Sequence, residues 1–499
     1  MAERPNLVFI FSDQQRADTM ACYGNDWLNV PNLNALADQS FVFQNAYVTQ
    51  PVCTPARASI MTGLYPHAAG PIVNQLVLSR ETPVIAEMLP DEYYCGYYGK
   101  WHLGDDVIRQ HGFDEWISTE DGHIPEYTQR EYRNVYSTYW HYLVDNGYEP
   151  DMERAPGKFI FSPRLRSQLP EEHQMASFLG DRAADFIERN SDKPFVLYVS
   201  TFEPHPPYNG PLNDMYDPAQ IPVGPAFLQR PDGTSLFNRV RGNYYTQYMY
   251  EGGDQSADPY ISGNATSGHD VTTELGWRTL RAHYLANVTL VDRMVKKITD
   301  ALDKAGVSDN TVVVFTSEHG EMAGDHGMLE KRSFYEEAAR VPLTMRVPWL
   351  SREQTILEGS AGHIDLVPTL LDLLGQERPD HLQGKSLAPV LRGEKDLSDN
   401  EVVVQWNGNS EELPDRFLGS AAINRMNALP RRCIITPDRW KLALCAGDEG
   451  ELFDLNNDPH ELNNLYGDPT HRDRIIDMSA RLRIWQLESG TLPHCRALS

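Results

Sequence analysis

No stretch of this sequence is apolar for long. Met1-Ala2-Glu3-Arg4-Pro5 leads at once into Asn6–Phe11, a run far too short for a signal core or a membrane-spanning helix. With Met1 as the natural start, a cytoplasmic protein with no membrane partner is expected. Basic residues are scarce as well: Lys and Arg total 44 against 70 Asp and Glu, a formal net charge of −26. A chain so short of cations has no basic face for a phosphate backbone, which excludes nucleic acid as a partner. Any anion site must then be a local cluster of cations held against the field of the whole protein. Cysteine is sparse and unpatterned. Cys22, Cys53, Cys95, Cys433, Cys445 and Cys495 show neither zinc-like nor disulfide-framework spacing. All except Cys53 read as small buried apolar residues. Internal repeats and low-complexity segments are also absent.

What is present is the pattern of an α/β protein. The 499 residues suffice for one large domain and a smaller one. Asn6–Phe11 has the uninterrupted apolar character of a strand buried on both faces, and Phe195–Thr201, Thr311–Thr316 and Val341–Val347 repeat it. Leu280, Tyr284, Val288, Val291, Val295, Ile298 and Leu302 recur at steps of three and four, which predicts a long helix stopped by Gly306. His363–Leu374, followed by Gly375, predicts another. Strands alternating with helices imply a mostly parallel, doubly wound sheet. Residues 114–165 and 205–273, rich in Pro, Gly, Tyr and Trp, read as long surface insertions. Beyond about residue 380, short runs at Glu401–Gln405, Arg432–Thr436 and Trp440–Leu444 suggest a small antiparallel sheet. The expected division is a catalytic domain over 1–378 and a smaller C-terminal subdomain over 379–499.

The most informative segment is Pro51-Val52-Cys53-Thr54-Pro55-Ala56-Arg57-Ala58-Ser59. On its own it also suits a structural thiol near a helix start, with Pro55 at an early helical position. Its Cys-x-Pro-x-Arg core, followed by Ala-Ser-Ile-Met-Thr-Gly, resembles the signature of the type I, formylglycine-dependent sulfatases of the alkaline phosphatase superfamily. The resemblance continues nearly end to end, in the family's order. Asp13-Gln14 follows the first strand, then come Gly99-Lys100-Trp101-His102-Leu103-Gly104, His205 between prolines, Glu318-His319-Gly320-Glu321, and Lys331. The C-terminal Glu451–Leu455 with Asp458-Pro459 and Glu461 completes it. The resemblance implies an alkaline-phosphatase-like, mostly parallel sheet flanked by helices, with a small C-terminal α+β subdomain carrying an antiparallel sheet.

It also implies a chemistry. Cys53 becomes formylglycine through a formylglycine-generating enzyme, and the aldehyde hydrate is the nucleophile on a small-molecule or saccharide sulfate ester. The implied catalytic set is Cys53, Arg57, Lys100, His102, His205 and Lys331. The implied metal ligands are Asp13, Gln14, Cys53, Glu318 and His319. Arg57, Lys100 and Lys331 would supply fixed positive charge. His205 is expected at the leaving alcohol, and His102 as the base that releases sulfate. Two metal positions depart from the family: Gln14 replaces an aspartate, and Glu318-His319 stands where Asp-Asn is usual. Calcium remains the first expectation for the one divalent ion, with manganese, magnesium or zinc as alternatives, since an imidazole shifts an oxygen set toward softer metals. Phosphonate monoester and phosphodiester hydrolases of the superfamily also pair Asp-Gln with a histidine, but tend to lack the Lys-x-His that this chain keeps. Sulfate therefore ranks ahead of those substrates, and a non-catalytic scaffold ranks last. The oligomeric state is not legible.

Overall fold

The structure, a computed structural model, describes residues 4–408 and 420–490. In chain order, β1 (Asn6–Asp13), β2 (Phe41–Tyr47), β3 (Tyr94–Gly99) and β4 (Glu115–Ser118) come first. A hairpin of β5 (Met152–Ala155) and β6 (Lys158–Ile160) follows, then β7 (Phe195–Pro204) and β8 (Thr311–Ser317). β9 (Arg340–Val341), β10 (Leu343–Arg346) and β11 (Thr355–Gly362) complete the central set. The main sheet has the order β11-β2-β10-β8-β1-β7-β3-β4, with β9 paired to β2. From β8 to β4 all neighbours are parallel. β10 runs antiparallel to both β8 and β2.

β1 explains the layering. Its side chains alternate, so Leu7, Phe9 and Phe11 enter one core and Val8 and Ile10 the other. All five are fully buried, which is why the run is apolar without interruption. On the Val8 side lie the helices Met175–Asn190 and Glu274–Lys304. On the Leu7 side lie Cys53–Thr62 and Leu366–Leu373. The long helix starts where the Thr273 hydroxyl accepts the Gly276 N–H and is followed by Gly306 in the left-handed region. Among the described residues, no helix is long and apolar enough to cross a membrane.

Three sequence expectations need correction. Val341–Val347 is not one strand: Pro342, which has no N–H for a ladder, separates β9 from β10. The aromatic stretches are not simply surface. Residues 114–165 contribute β4 to the main sheet, and 205–273 contain the helix Leu236–Tyr250. Tyr244, Tyr245 and Tyr248 on that helix are core residues, with the Tyr244 hydroxyl donating to Asp258 (2.9 Å) and the Tyr245 hydroxyl to Glu330 (3.0 Å). Cys95 and Cys433 are buried as expected, whereas Cys22 and Cys445 are only half-buried, Cys445 because it ends its strand. Cys495 lies outside the described residues.

The C-terminal sheet is β12 (Val402–Trp406), β13 (Arg431–Ile435), β14 (Trp440–Cys445) and β15 (Glu451–Asp454), antiparallel in sequence order. Alternation decides its place. Val402, Val404, Trp406, Cys433, Ile435 and Phe453 join the large core, while Val403, Ile434, Leu442 and Leu452 pack under Met478 and Leu482 of the helix Arg472–Glu488. One buried ion cluster ties the two sheets together. Lys441, on β14, places its ammonium 2.7 Å from Glu336, 2.8 Å from Glu461 and 2.8 Å from the Phe334 carbonyl. Burial, opposed by Lys441, pushes Glu461 up to about 8, so it keeps its proton near neutrality.

Two outcomes follow from this cluster. Lys441→Met takes the nearest cation from Glu336 and a hydrogen-bond donor from Glu461, and should cost about 3 kcal/mol in urea unfolding. Native Glu461 holds a proton that the unfolded chain releases above a pKa of about 4.3, so its contribution to stability declines as pH rises from there through about 8. Glu461→Gln should flatten that part of the stability–pH curve. A midpoint that falls as steeply in the variant as in the wild type would place the titration elsewhere.

Candidate active site

Four adjacent parallel strands end at one place. β8 leads into Glu318-His319, β1 ends in Asp13 and leads into Gln14, β7 leads into His205, and β3 leads into Lys100. Carboxyl ends of parallel strands are where such sheets present their chemistry. The β1–β8 register pairs Ser12 with Ser317, so Asp13 and Glu318 emerge side by side. Cys53 is the first residue of the helix Cys53–Thr62, whose end the left-handed Gly63 marks. Gly99 is required at the close approach of β3 to β7. A Cβ there would lie 1.8 Å from the Ser200 carbonyl, to which the Lys100 N–H donates at 2.9 Å. Gln14, His102, Glu330 and Arg332 all have positive φ, a concentration of strained backbone around the site.

The side chains form a dry array of charge. Asp13, Glu318 and His319 are fully buried, Arg57 is 1% exposed and Lys100 and Lys331 3%. The Lys100 ammonium lies 2.7 Å from Asp13 Oδ2. Arg57 pairs through Nε with Glu318, and its Nη1 donates to the Lys100 carbonyl (2.6 Å) and to Ser200 Oγ (2.8 Å). Burial alone would raise Asp13, but Lys100 and its other neighbours hold it well below the usual carboxylate range. Burial, then Glu318, pushes the Cys53 thiol above its ordinary range, so in this setting the encoded thiol is not a thiolate nucleophile.

One sub-cluster asks for a cation. His319 gives its Nδ1–H to the Gly320 carbonyl (3.0 Å), so the Nε2 lone pair faces inward. That atom lies 3.1 Å from Glu318 Oε1, 3.6 Å from Asp13 Oδ1 and 3.3 Å from Cys53 Sγ. Neither Asp13 Oδ1 nor Glu318 Oε1 accepts a hydrogen bond. The four ligand atoms lie within 4.8 Å of one another. Buried acceptors converging in this way repel unless a positive ion sits among them, and a histidine oriented through its second nitrogen is the usual ligand arrangement. The residues fit a divalent cation. Gln14 stands beside them. Its Oε1 takes the Lys331 ammonium at 2.5 Å, and its Nε2 donates to Glu321 and to the Tyr208 hydroxyl (3.3 Å).

His102 and His205 are held neutral. Burial first, then His123, Lys100 and Arg57, puts His102 well below its ordinary value. Neither of its ring nitrogens has a partner, and its ring stacks on His123 with centroids 4.4 Å apart. Burial, then Lys331, lowers His205 in the same way. His205 donates Nδ1–H to the Pro206 carbonyl (2.9 Å), and its Nε2 accepts from Lys331 (3.0 Å). The structure thus brings every sequence-predicted residue into one array. Sequence reasoning missed His123, Ser200, Tyr208 and the orienting role of Glu321. No local motif marks the first three, and Glu321, though it stands in the Glu318–Glu321 stretch, acts through a contact to Gln14 across the chain.

Fold and site together define the class: an alkaline-phosphatase-like α/β protein with a buried cysteine beside a cation-ready cluster. The chain belongs to the sulfatase family, whose model matches residues 5–376, and the model of the N-sulphoglucosamine sulphohydrolase C-terminal region matches 324–488. It is a sulfuric ester hydrolase. The protein named uncharacterized sulfatase YidJ from Escherichia coli is 29% identical over 484 residues, covering 93% of this chain and 84% of its own. An N-acetylglucosamine-6-O-sulfatase from Bacteroides thetaiotaomicron is 26% identical over 506 residues, covering 93% and 83%. The solved phosphonate monoester hydrolase of Silicibacter pomeroyi superposes with a TM-score of 0.78 at 25% identity, over 98% of this chain and 96% of its own.

If the quartet holds the ion, Asp13→Ala should keep less than about a tenth of the wild-type bound divalent metal while circular dichroism is unchanged. Elemental analysis of the dialysed proteins measures this. Wild-type stoichiometry in the variant would count against the assignment.

Proposed function

We propose that the chain hydrolyses a sulfate monoester through a formylglycine made from Cys53 by a formylglycine-generating enzyme. The single observation that carries the reading is the convergence of Cys53 Sγ on His319, with the unpartnered oxygens of Asp13 and Glu318 beside it. The hydrated aldehyde offers two hydroxyls at one carbon, one to attack sulfur and one through which sulfate is later expelled. Asp13, Glu318, His319 and residue 53 would hold the divalent ion, with Gln14 Oε1 at its edge; calcium is the first expectation. When bound, the ion would polarise a sulfate oxygen. Residues 1–378 carry all of this chemistry, and 379–499 form the smaller subdomain.

The chain's own residues divide the remaining work. Lys100 and Lys331 present ammonium groups for the sulfate oxygens, fixed before substrate arrives by Asp13 and by Gln14 with His205. Arg57 acts through others, locking Glu318 and the Lys100 backbone in place. The proton between Lys331 Nζ and His205 Nε2 is the one available to the departing alcohol oxygen. His102, neutral with unpartnered nitrogens, is the proton acceptor for the second half of the reaction.

A second reading, hydrolysis of phosphonate monoesters or phosphodiesters, is favoured by the superposition on the Silicibacter enzyme and by Gln14 and His319 among the ligands. Lys100 and His102 weigh for sulfate, because they set charge and a base where a diester's second organic group needs room.

Three measurements test the reading. Peptide mass spectrometry should show oxygen in place of sulfur at residue 53 in a fraction that tracks activity, and Cys53→Ala should be inactive. A thiol in fully active protein would end the proposal. His102→Ala should release about one equivalent of alcohol in a burst and then stall; normal turnover would remove its role as base. On matched aryl substrates, kcat/KM should be higher for the sulfate than for the phosphonate monoester, and the opposite order would promote the second reading.

A further inference from the structure

The His102 imidazole has no tether at its nitrogens. Neither ring nitrogen meets a hydrogen-bond partner among the described residues, although an imidazole used as a base is ordinarily aimed through its second nitrogen. The backbone, by contrast, is pinned on both sides. His102 sits at φ 53, in the left-handed region that residues other than glycine rarely occupy. Its N–H donates to Asp106 Oδ1 (3.0 Å), and its carbonyl accepts from Thr54 Oγ1 (2.9 Å), one residue past Cys53. What lies on the ring itself is another imidazole: His123 stacks on it with centroids 4.4 Å apart and planes 11° apart.

His123 is fixed in turn by the same carboxylate. Its Nδ1 lies 2.8 Å from Asp106 Oδ2, and a carboxylate can only accept, so Nδ1 carries a proton. Asp106 thus divides its two oxygens between the backbone of His102 and the ring stacked on it. Its side chain is 3% exposed, and its own backbone carbonyl takes the Trp116 indole N–H (2.9 Å), which anchors the turn that carries it. Burial would lower His123, but Asp106 and then Glu120 outweigh burial and Lys100 and raise it above its ordinary value. Asp121, Arg154 and Arg166 line the same cavity as His123. A protonated His123 lays a positive ring on His102, which after burial is the next cause of that histidine's neutrality.

We propose that Asp106 and His123 are positioning residues for His102, one carboxylate fixing its backbone and, through the stacked ring, the plane in which it accepts a proton. The proposal rests on the sulfate-ester reading above. In that reading the hydroxyl left on residue 53 gives its proton to His102, its electron pair closes the carbonyl, and the carbon–oxygen bond to sulfate breaks with the pair leaving on sulfate. This step follows departure of the alcohol. A misplaced His102 therefore slows kcat and spares kcat/KM, a split that general loss of structure does not produce.

On fully modified, metal-loaded protein with 4-nitrophenyl sulfate, His123→Ala should lower kcat and KM together by about tenfold, leave kcat/KM within about twofold and still release a burst of alcohol. His123→Phe, which restores a flat ring, should keep about a third or more of the wild-type kcat. Should alanine fail to fold by circular dichroism, His123→Leu, a side chain without a flat ring, takes its place against His123→Phe. NMR of histidine-labelled protein without substrate gives a second readout. His123 should titrate above about 6.5 in the wild type and lower in Asp106→Asn, and the His102 ring signals should move when His123→Ala removes the stack. A fall in kcat/KM equal to that in kcat, a kcat unmoved by loss of the His123 ring, or a His123 titration unmoved by Asp106→Asn overturns the proposal. Turnover of phosphonates but of no sulfate ester would instead sink the sulfate reading, and the NMR readouts, which need no ester, would then decide the positioning role by themselves.

Discussion

Asp13 and Glu318 are two carboxylates with no exposure to water, and the rest of the site exists to make that tolerable. An uncompensated charge at such depth costs several kcal/mol, and removing one partner of a buried pair costs about 3–5. Lys100 and Arg57 meet part of the demand at Asp13 Oδ2 and Glu318 Oε2. The remaining oxygens point at His319 and residue 53, where a cation belongs. This arrangement needs β1 and β8 in one fixed register, β3 drawn tight against β7 through Gly99, and the Cys53 helix seated below them.

Because the cations are anchored by protein acceptors before substrate arrives, they need no reorganisation when an anion enters. The same field acts on the imidazoles. Set among ammonium and guanidinium groups in a water-poor pocket, His102 and His205 are neutral, His102 with both ring nitrogens unpartnered and His205 with Nε2 against the Lys331 ammonium. The chain as a whole carries a net charge of −26, and Arg57, Lys100 and Lys331 are gathered at the site against that field.

The departure at Gln14 carries its own compensation. An amide can present either its oxygen or its nitrogen, whereas a carboxylate has no such ambiguity. Glu321 and Tyr208 face the Gln14 Nε2, and the Glu321 carboxylate can only accept. That contact turns Oε1 toward the Lys331 ammonium. A third carboxylate beneath the site therefore does for the glutamine what charge alone does for an aspartate.

The sequence by itself determined the strands β1, β7 and β8 and the helix through Leu280–Leu302, because burial on both faces and a 3.6-residue period leave unmistakable local patterns. It also marked the candidate site residues that the fold brings together, since each stands in a short stretch at a strand or helix end. It did not reveal β3 or β11, whose Tyr-Gly and half-exposed polar runs carry no such pattern, nor the antiparallel sense of β10. Nor could it show that the aromatic stretch around Tyr244 is core, or that His123 lies on His102. Those relations join segments tens of residues apart. Only the packing of the tertiary structure, which burial of whole surfaces selects and no local spacing encodes, decides them.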